Sequence, residues 1–322
     1  MRALLCIAAV AAGIAVGTAR ADGLPVLGID VGGAGVAAPG SPRYVALPVR
    51  GATLVARIDR GSGRVLASTV LRERFTIPAV AYDGSPGGLA REGKTLVLIS
   101  PRATFPRAET PLALVDTSRL RLVTRITLSG DFSFDAVSPD GRWVYLVHYT
   151  SPTDPLRYEV RVLDAETATL VTKPIVDPSE PDEQMGGRPL TRVMSPDGRW
   201  AYTLYERPGD APFIHALDTI GRTARCIDLD WLHDSTQLAA VRLVLGDGGR
   251  TLRIVSRGKT RAAIDTRTFT AAPAVQEGTF APSWRLAAVT AAAVLLAAAA
   301  ALGVLAARHR SGDARSGDSR SA

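Results

Sequence analysis

Cysteine is almost absent from this sequence, which contains only Cys6 and Cys226. Cys6 lies in an N-terminal apolar segment that we expect to be removed, so the mature chain would keep one thiol and no internal disulfide. The fold must then be stabilised by its packed core alone. A single domain of about 260 residues is large enough to form such a core.

Lysine is also scarce, with Lys94, Lys173 and Lys259 as its only examples, and no basic run occurs within the central part of the chain. The formal net charge is +7, but Arg2, Arg20 and the arginine-rich C-terminal tail carry more than half of it. Because the region between them is nearly neutral, nucleic-acid binding is not expected.

Long apolar segments are limited to two, and the first is N-terminal. Met1-Arg2 is followed by the uncharged run Ala3–Val16 and then by Ala19-Arg20-Ala21. A short cationic start, an apolar run and an A-x-A sequence are typical of a secretory signal peptide, cleaved here before Asp22. The run is short for a bilayer of about 30 Å, which favours cleavage over a retained anchor.

The second apolar segment, Leu286–Ala307, would form about 33 Å of helix, long enough to cross a membrane. Trp284 lies before it and Arg308-His309-Arg310 after it, and the positive-inside rule therefore places the C-terminus in the cytoplasm. The predicted localisation is a cell membrane, single-pass. The predicted organisation is a signal peptide at 1–21, an extracytoplasmic domain at 22–280, a juxtamembrane linker at 281–285, a transmembrane helix at 286–307 and a disordered tail at 308–322.

An internal repeat occupies the central region. Val137–Tyr145 (VSPDGRWVY) recurs as Met194–Tyr202 (MSPDGRWAY), and degenerate copies occur at 41–45, 91–96 and 246–252. Proline favours the first central position of a turn, and glycine favours a left-handed position that returns the chain to a strand. Each copy is therefore predicted to be a hairpin turn. Its structural residues are Asp140, Gly141, Asp197 and Gly198.

A second repeat element is a strand that ends in aspartate, followed by a short polar turn. The five aspartates are Asp59, Asp116, Asp164, Asp218 and Asp265. Because the same acid recurs every 47 to 57 residues, it is predicted to cap a turn rather than to act in catalysis. Four short strands per unit at this period indicate an all-β chain, a β-propeller of about five to seven four-stranded blades.

Both elements, S-P-D-G-R-x-x-Y and V-x-x-[LIV]-D-x-x-T, resemble the YVTN and TolB-type (WD-like) propeller repeats over residues 40–275. The resemblance implies the fold and says little about function, because propellers include binding proteins, scaffolds and enzymes. Among them, single-pass extracytoplasmic propellers are the most similar in layout. Lactonase-like propellers share the repeat, but no acidic cluster here corresponds to their metal or acid–base positions.

Few residues suggest a chemical site. His215 and Cys226 should face each other across a hairpin, a possible start of a soft metal site, but no third ligand has matching spacing. The acidic loop 177–183 lacks the glycine and spacing of an EF-hand. His148 and His233 have no nucleophile beside them, and Trp143 and Trp200 share a repeat position that favours core packing. The long loops 100–109 and 154–158 are the first places to expect binding residues.

These observations predict no catalytic residue and no cofactor. The leading hypothesis is a noncatalytic, membrane-tethered scaffold that binds a protein or a cell-envelope ligand through one end of the propeller. An exported propeller enzyme, lactonase-like or glycan-cleaving, is the alternative. Two carboxylates and a histidine in the central funnel would favour the enzyme, whereas a funnel lined by backbone and apolar side chains would favour binding.

Overall fold

The computed structural model describes residues 31–182, 185–207, 209–232, 238 and 240–274. The predicted signal peptide, linker, transmembrane helix and tail lie outside these ranges, as does His233. Within the described ranges, no helix is long and apolar enough to cross a membrane.

The described chain is built from antiparallel strands, arranged as five sheets that follow one another in sequence. Sheet one contains β1 (Arg43–Val49), β2 (Ala52–Ile58) and β3 (Val65–Leu71), and sheet two contains β4 (Thr95–Ile99), β5 (Glu109–Asp116) and β6 (Arg121–Ser129). Sheet three contains β7 (Phe132–Val137), β8 (Trp143–Tyr149), β9 (Tyr158–Asp164) and β10 (Thr169–Leu170). Sheet four contains β11 (Arg188–Met194), β12 (Trp200–Glu206), β13 (Phe213–Asp218) and β14 (Thr223–Asp228). Sheet five contains β15 (Val241–Gly246), β16 (Thr251–Ser256), β17 (Lys259–Asp265) and β18 (Thr270–Pro273), with a short 3₁₀ turn at Asp247–Gly249.

Each sheet pairs its strands in chain order, which confirms the all-β prediction and gives one sheet for each of the five predicted units. The four-stranded pattern holds in sheets three to five only. Sheets one and two have three strands each, and isolated bridges such as Val36 to Tyr44 and Leu89 to Leu96 occupy the fourth position. In sheet two, proline and glycine explain the missing fourth strand, because Pro86, Gly87 and Gly88 interrupt the segment that would pair with β4.

The hydrophobic core lies between successive sheets. Ile77 and Leu98 belong to a buried cluster shared by sheets one and two, and Phe134 belongs to the cluster between sheets two and three. Leu217 lies in the cluster between sheets three and four, and Ile254 lies in the one between sheets four and five. Sheets two, three and four each bury one face against the sheet before and the other against the sheet after, so sequence order is also packing order.

The repeat turns of sheets three and four both lie close to sheet two. Gly141 and Gly198 both have positive φ, at 86° and 78°. A Cβ on Gly141 would lie 2.5 Å from Thr95 Oγ1 of sheet two, and one on Gly198 would lie 2.6 Å from the Cβ of Arg91. Glycine is therefore required twice over, by the backbone conformation and by the close approach of another sheet's turn.

Candidate functional site

The two best copies of the hairpin repeat form the same hydrogen bonds. Asp140 Oδ1 accepts bonds from Ser138 Oγ at 2.5 Å and from the Arg142 backbone N–H at 3.0 Å. The second copy repeats this geometry with Asp197, Ser195 and Arg199, at 2.5 and 3.1 Å. The serine and aspartate side chains therefore stabilise the turn in which they lie.

The five strand-end aspartates also accept bonds from the turns that follow them. Asp116 Oδ1 accepts from the Ser118 N–H at 2.8 Å, and Asp265 Oδ1 accepts from the Arg267 N–H at 2.8 Å. The corresponding bonds of the other three come from Ser62 to Asp59, from Glu166 to Asp164 and from Gly221 to Asp218. These bonds stabilise the ionised form and lower the pKa of the carboxyls, in Asp265 chiefly through the backbone N–H of Arg267. All five carboxylates are committed to local turns.

The aromatic residues of the repeat join one sheet to the next. The guanidinium groups of Arg142 and Arg222 both lie over the Trp143 ring, 4.7 and 4.6 Å from its centroid. Tyr145 Oη donates a 2.8 Å hydrogen bond to the carbonyl of Thr219 in sheet four. In the next copy, Trp200 packs on Phe269 of sheet five at 5.0 Å. The tryptophans thus have packing partners within the protein.

His215 on β13 and Cys226 on β14 are register partners, as the hairpin geometry predicts. His215 is buried. Within the described residues, no group of three or more histidine, cysteine, aspartate or glutamate side chains is placed to hold a metal ion. None of the described residues therefore supplies this pair with the further ligands that a structural metal site needs.

The acidic loop is anchored to the edge of sheet four through its first residue. Asp177 Oδ1 accepts bonds from the N–H and Oγ of Ser179, at 2.8 and 2.6 Å, and from Arg225 Nη1 at 3.0 Å. Asp177 Oδ2 accepts from the Cys226 N–H at 2.8 Å. Donors of the protein therefore occupy both oxygens of this carboxylate. Glu183, the last residue of the loop, lies outside the described ranges.

The loop 100–109 contains a buried ionic cluster that the sequence interpretation missed. Arg102, which has no exposed surface, forms a 2.5 Å ion pair with Asp131. The Arg107 backbone N–H donates to the other oxygen of Asp131 at 3.0 Å. Burial, together with the charge of Arg102, lowers the pKa of Arg107 to about 10. The cluster fastens this loop to the start of β7, which is a structural role.

His148 and the second long loop, 154–158, also contact other parts of the protein. The His148 ring stacks on Phe132 at 4.4 Å, and its Nδ1 lies 3.2 Å from Glu159 Oε1. In the loop 154–158, the buried Tyr158 Oη donates to the carbonyl of Gly187 at 3.1 Å. Neither Tyr158 nor His148 lines the apolar opening formed by segments of four sheets.

That opening, the inner-strand cavity, has a volume of about 370 Å³. It is lined by segments of four sheets: residues 36–39 of sheet one, 85–89 and Arg91 of sheet two, 134–137 on β7, and 192–194 on β11 with Ser195 just after it. Apart from Asp135, Arg192, Arg91 and two serines, these lining side chains are apolar or glycine. The cavity therefore offers mainly backbone and hydrocarbon to whatever enters it, which is typical of a binding pocket.

One buried ion pair provides the strongest polar feature of the inner-strand cavity. Arg192 donates through both terminal nitrogens to Asp135, to its backbone carbonyl and to Oδ1, and its Nε donates to Thr203 Oγ1 at 2.7 Å. Both side chains are almost completely buried. Asp135 Oδ2 is buried and accepts no hydrogen bond from the described residues. A carboxylate in an apolar strand is a sequence signal for a buried partner, although it does not show which residue that partner is.

No protein-family model matches the sequence, and no curated protein matches it. Solved structures with a similar fold include TolB from Acinetobacter baumannii, at 12% identity and a TM-score of 0.41, covering 72% of this chain and 51% of that one. The Dos1 propeller is similar at 12% identity and a TM-score of 0.42, covering 74% and 61%. A putative TolB from Agrobacterium tumefaciens is similar at 15% identity and a TM-score of 0.37, covering 73% and 77%. The chain thus spans about half of the first protein and three fifths of the second, and its structural neighbours are TolB-like and other β-propeller proteins.

Proposed function

We propose that the five sheets form a β-propeller that acts as a noncatalytic scaffold and binds a protein or cell-envelope ligand through the inner-strand cavity. The observation that carries this proposal is the lining of the cavity by backbone and apolar side chains from four sheets. Burial of apolar surface of the ligand would drive association there. The Asp135–Arg192 pair at the wall would give polar selectivity.

The same cavity gives less support to an exported hydrolase. Such an enzyme would need a pair of carboxylates, or a carboxylate with a histidine, converging on bound substrate. Asp135 is the single carboxylate among the residues that line the cavity, and Arg192 already holds one of its oxygens. The hydrolase therefore stays the alternative.

Site-specific photo-crosslinking in intact cells tests the binding proposal. Met194 lines the cavity and is 38% exposed, so a photo-reactive residue can replace it without entering the core. Trp231 is equally exposed, at 38%, does not line the cavity and provides the matched control. We expect one defined adduct from position 194 and none of that mass from position 231. Equal labelling at both positions, or no adduct at 194, would contradict cavity binding.

We also propose that this propeller is exported and tethered to the cell membrane by residues 286–307. The support comes from the sequence: the export-signal pattern at the N-terminus, the 22-residue apolar segment and its arginine-rich flank. Extraction of membranes at alkaline pH should leave the full chain in the pellet and release a variant that ends at residue 274. Protease added to spheroplasts should digest the propeller and spare a C-terminal epitope tag. Digestion of the tag with the propeller spared would reverse the proposed orientation.

A further inference from the structure

A groove lies between the outer strands of the first two sheets, separate from the inner-strand cavity. It has a volume of about 380 Å³ and is lined by residues 69–73 and Phe75 on the side of sheet one. Arg121, Leu122 and Arg125 of β6 line the opposite side. We call this feature the outer groove. No part of the proposed cavity function uses it.

Exposed apolar side chains are concentrated on the two sheets that border the outer groove, and two of them, Val70 and Leu122, line it. Of the ten large hydrophobic residues exposed in the described chain, seven belong to sheets one and two, and the other three are scattered over later segments. The seven are Leu47, Val49, Val65, Leu66, Val70, Leu122 and Val123. Single exposed hydrophobic residues are ordinary, but a cluster of this kind on two neighbouring sheets is typical of an interaction surface.

The outer groove is also electropositive. Arg72, Arg121 and Arg125 line it against a single acid, Glu73. Glu73 is already engaged with Arg125 at 3.0 Å, whereas neither Arg72 nor Arg121 forms an ion pair within the described part of the chain. Two exposed guanidinium groups are therefore available to carboxylates, which they bind in a bidentate manner.

Both walls of the groove end in an open strand edge. β3 and β6 are terminal strands of their sheets and contain seven and nine residues, whereas the last strands of sheets three and five contain two and four. Terminal strands present unpaired backbone donors and acceptors, to which an extended peptide can add. Length, apolar side chains and positive charge thus coincide on one surface.

We propose that the outer groove binds an extended acidic segment of a partner protein, in which carboxylates alternate with apolar side chains. Arg121 and Leu122 are adjacent on β6 and point to opposite sides of the strand, so an extended segment in which acidic and apolar side chains alternate matches them. Apolar residues would pack on Leu122, while carboxylates pair with Arg121 and, across the groove, with Arg72. The positive charge selects this partner over a second copy of the chain, whose corresponding surface carries the same charge.

The test uses a fluorescent ten-residue peptide in which glutamate alternates with valine, and its counterpart with lysine in place of glutamate. The full chain in detergent should bind the glutamate peptide, measured by anisotropy, and should bind the lysine peptide at least tenfold more weakly. Affinity should fall as sodium chloride is raised. Equal binding of both peptides would overturn the proposal.

Matched variants locate the site on the surface. Arg121→Glu should weaken binding of the glutamate peptide about tenfold, while Arg257→Glu, in an exposed turn of sheet five, should leave affinity nearly unchanged. Leu122→Ser should weaken binding and keep its salt dependence. Thermal melts of each variant establish that it is folded. Equal losses of peptide affinity for Arg121→Glu and Arg257→Glu would overturn the proposal. A dimer in sedimentation that Leu122→Ser dissociates would also overturn it. Neither result would change the adducts expected at Met194.

Discussion

Arg192 and Arg125 both connect neighbouring sheets through a carboxylate, but in opposite surroundings. Arg192 pairs with Asp135 between sheets four and three, where the two side chains are 5% and 1% exposed. Arg125 pairs with Glu73 between sheets two and one, where they are 47% and 42% exposed. The first pair is part of the core and the second crosses an open groove. The same chemical contact should therefore contribute very different free energies at the two positions.

The two regions also differ in their repeat sequence. In sheet three, Trp143 and Tyr145 reach the next sheet, and Trp200 and Tyr202 occupy the corresponding positions of sheet four. The degenerate copy in sheet one has Tyr44 and Ala46 there. Alanine has no hydroxyl to donate to the following turn, and sheet one reaches that turn of sheet two instead through Arg57 Nη1, which donates long hydrogen bonds of 3.4 Å to the carbonyls of Thr117 and Ser118. Loss of the repeat residues coincides with the exposed apolar surface.

The largest effect is expected from Arg192→Met, which leaves Asp135 buried without its partner. Removal of one member of a buried ion pair costs about 3–5 kcal/mol, because the remaining charge is desolvated and uncompensated. Urea unfolding of the full chain should show a loss of this size. Arg188 is on the same strand as Arg192, and its ion pair with Glu206 is partly exposed. Arg188→Met should therefore cost less than about 1 kcal/mol.

A second substitution separates charge from packing. Asp135→Leu combined with Arg192→Met replaces the pair with apolar groups, and such replacements are often neutral or stabilising. The double variant should therefore recover most of the stability that Arg192→Met loses. If Arg192→Met alone unfolds at the same urea concentration as the wild type, the pair does not hold the two sheets together.

The next largest effect is expected from Asp218→Asn. Burial opposes ionisation of Asp218, but the Arg199 side chain and the N–H groups of Gly221 and Ile220 outweigh burial and lower its pKa. Hydrogen bonds to a charged group contribute about 1.5–3 kcal/mol, and the substitution should remove a contribution of that order. Unfolding free energies measured at pH 7 would show it.

The pH dependence gives an independent check on Asp218. Because its folded pKa lies below the unfolded value of about 3.9, its contribution is present above that pH and is lost as pH falls through the folded pKa. Asp218→Asn should therefore flatten the decline in stability below about pH 4. Asp210→Asn changes a side chain that is 67% exposed and provides the control. Identical acid profiles for the wild type and Asp218→Asn would contradict this role.

Local sequence was sufficient to predict the elements whose chemistry is local. The turn at Asp140-Gly141 and the strand ending at Asp116 depend on residues within a few positions of each other, and their aspartates accept hydrogen bonds from the N–H groups of Arg142 and Ser118. The buried pairs could not be predicted in this way, since Arg192 and Asp135 are 57 positions apart. A charged residue within the apolar strand β7 signals a buried partner but does not identify it. The three-stranded sheets were missed because proline and glycine lie where a strand was expected.

A smaller effect is expected from Tyr145→Phe, which removes the 2.8 Å bond to the Thr219 carbonyl and keeps the ring. Tyr145 is completely buried, so the carbonyl loses a donor that water cannot replace. The cost should be about 1 kcal/mol in the free energy of unfolding. Tyr44→Phe is the matched control in sheet one, because Tyr44 forms no side-chain hydrogen bond to the described residues, and it should be nearly neutral. If Tyr145→Phe and Tyr44→Phe lower the free energy of unfolding equally, the proposed difference between the contact of sheets three and four and that of sheets one and two is wrong.

The smallest effect is expected from Arg125→Ala at the groove. Its pair with Glu73 is half exposed and screened by salt, so the loss should not exceed about 0.5 kcal/mol and should vanish at 1 M sodium chloride. Urea unfolding at low and high salt measures both. A salt-independent loss above 1 kcal/mol would mean that this pair closes the outer groove and that a peptide must break it to enter. A small, screened loss leaves the arginines available to an acidic partner at little cost to the fold.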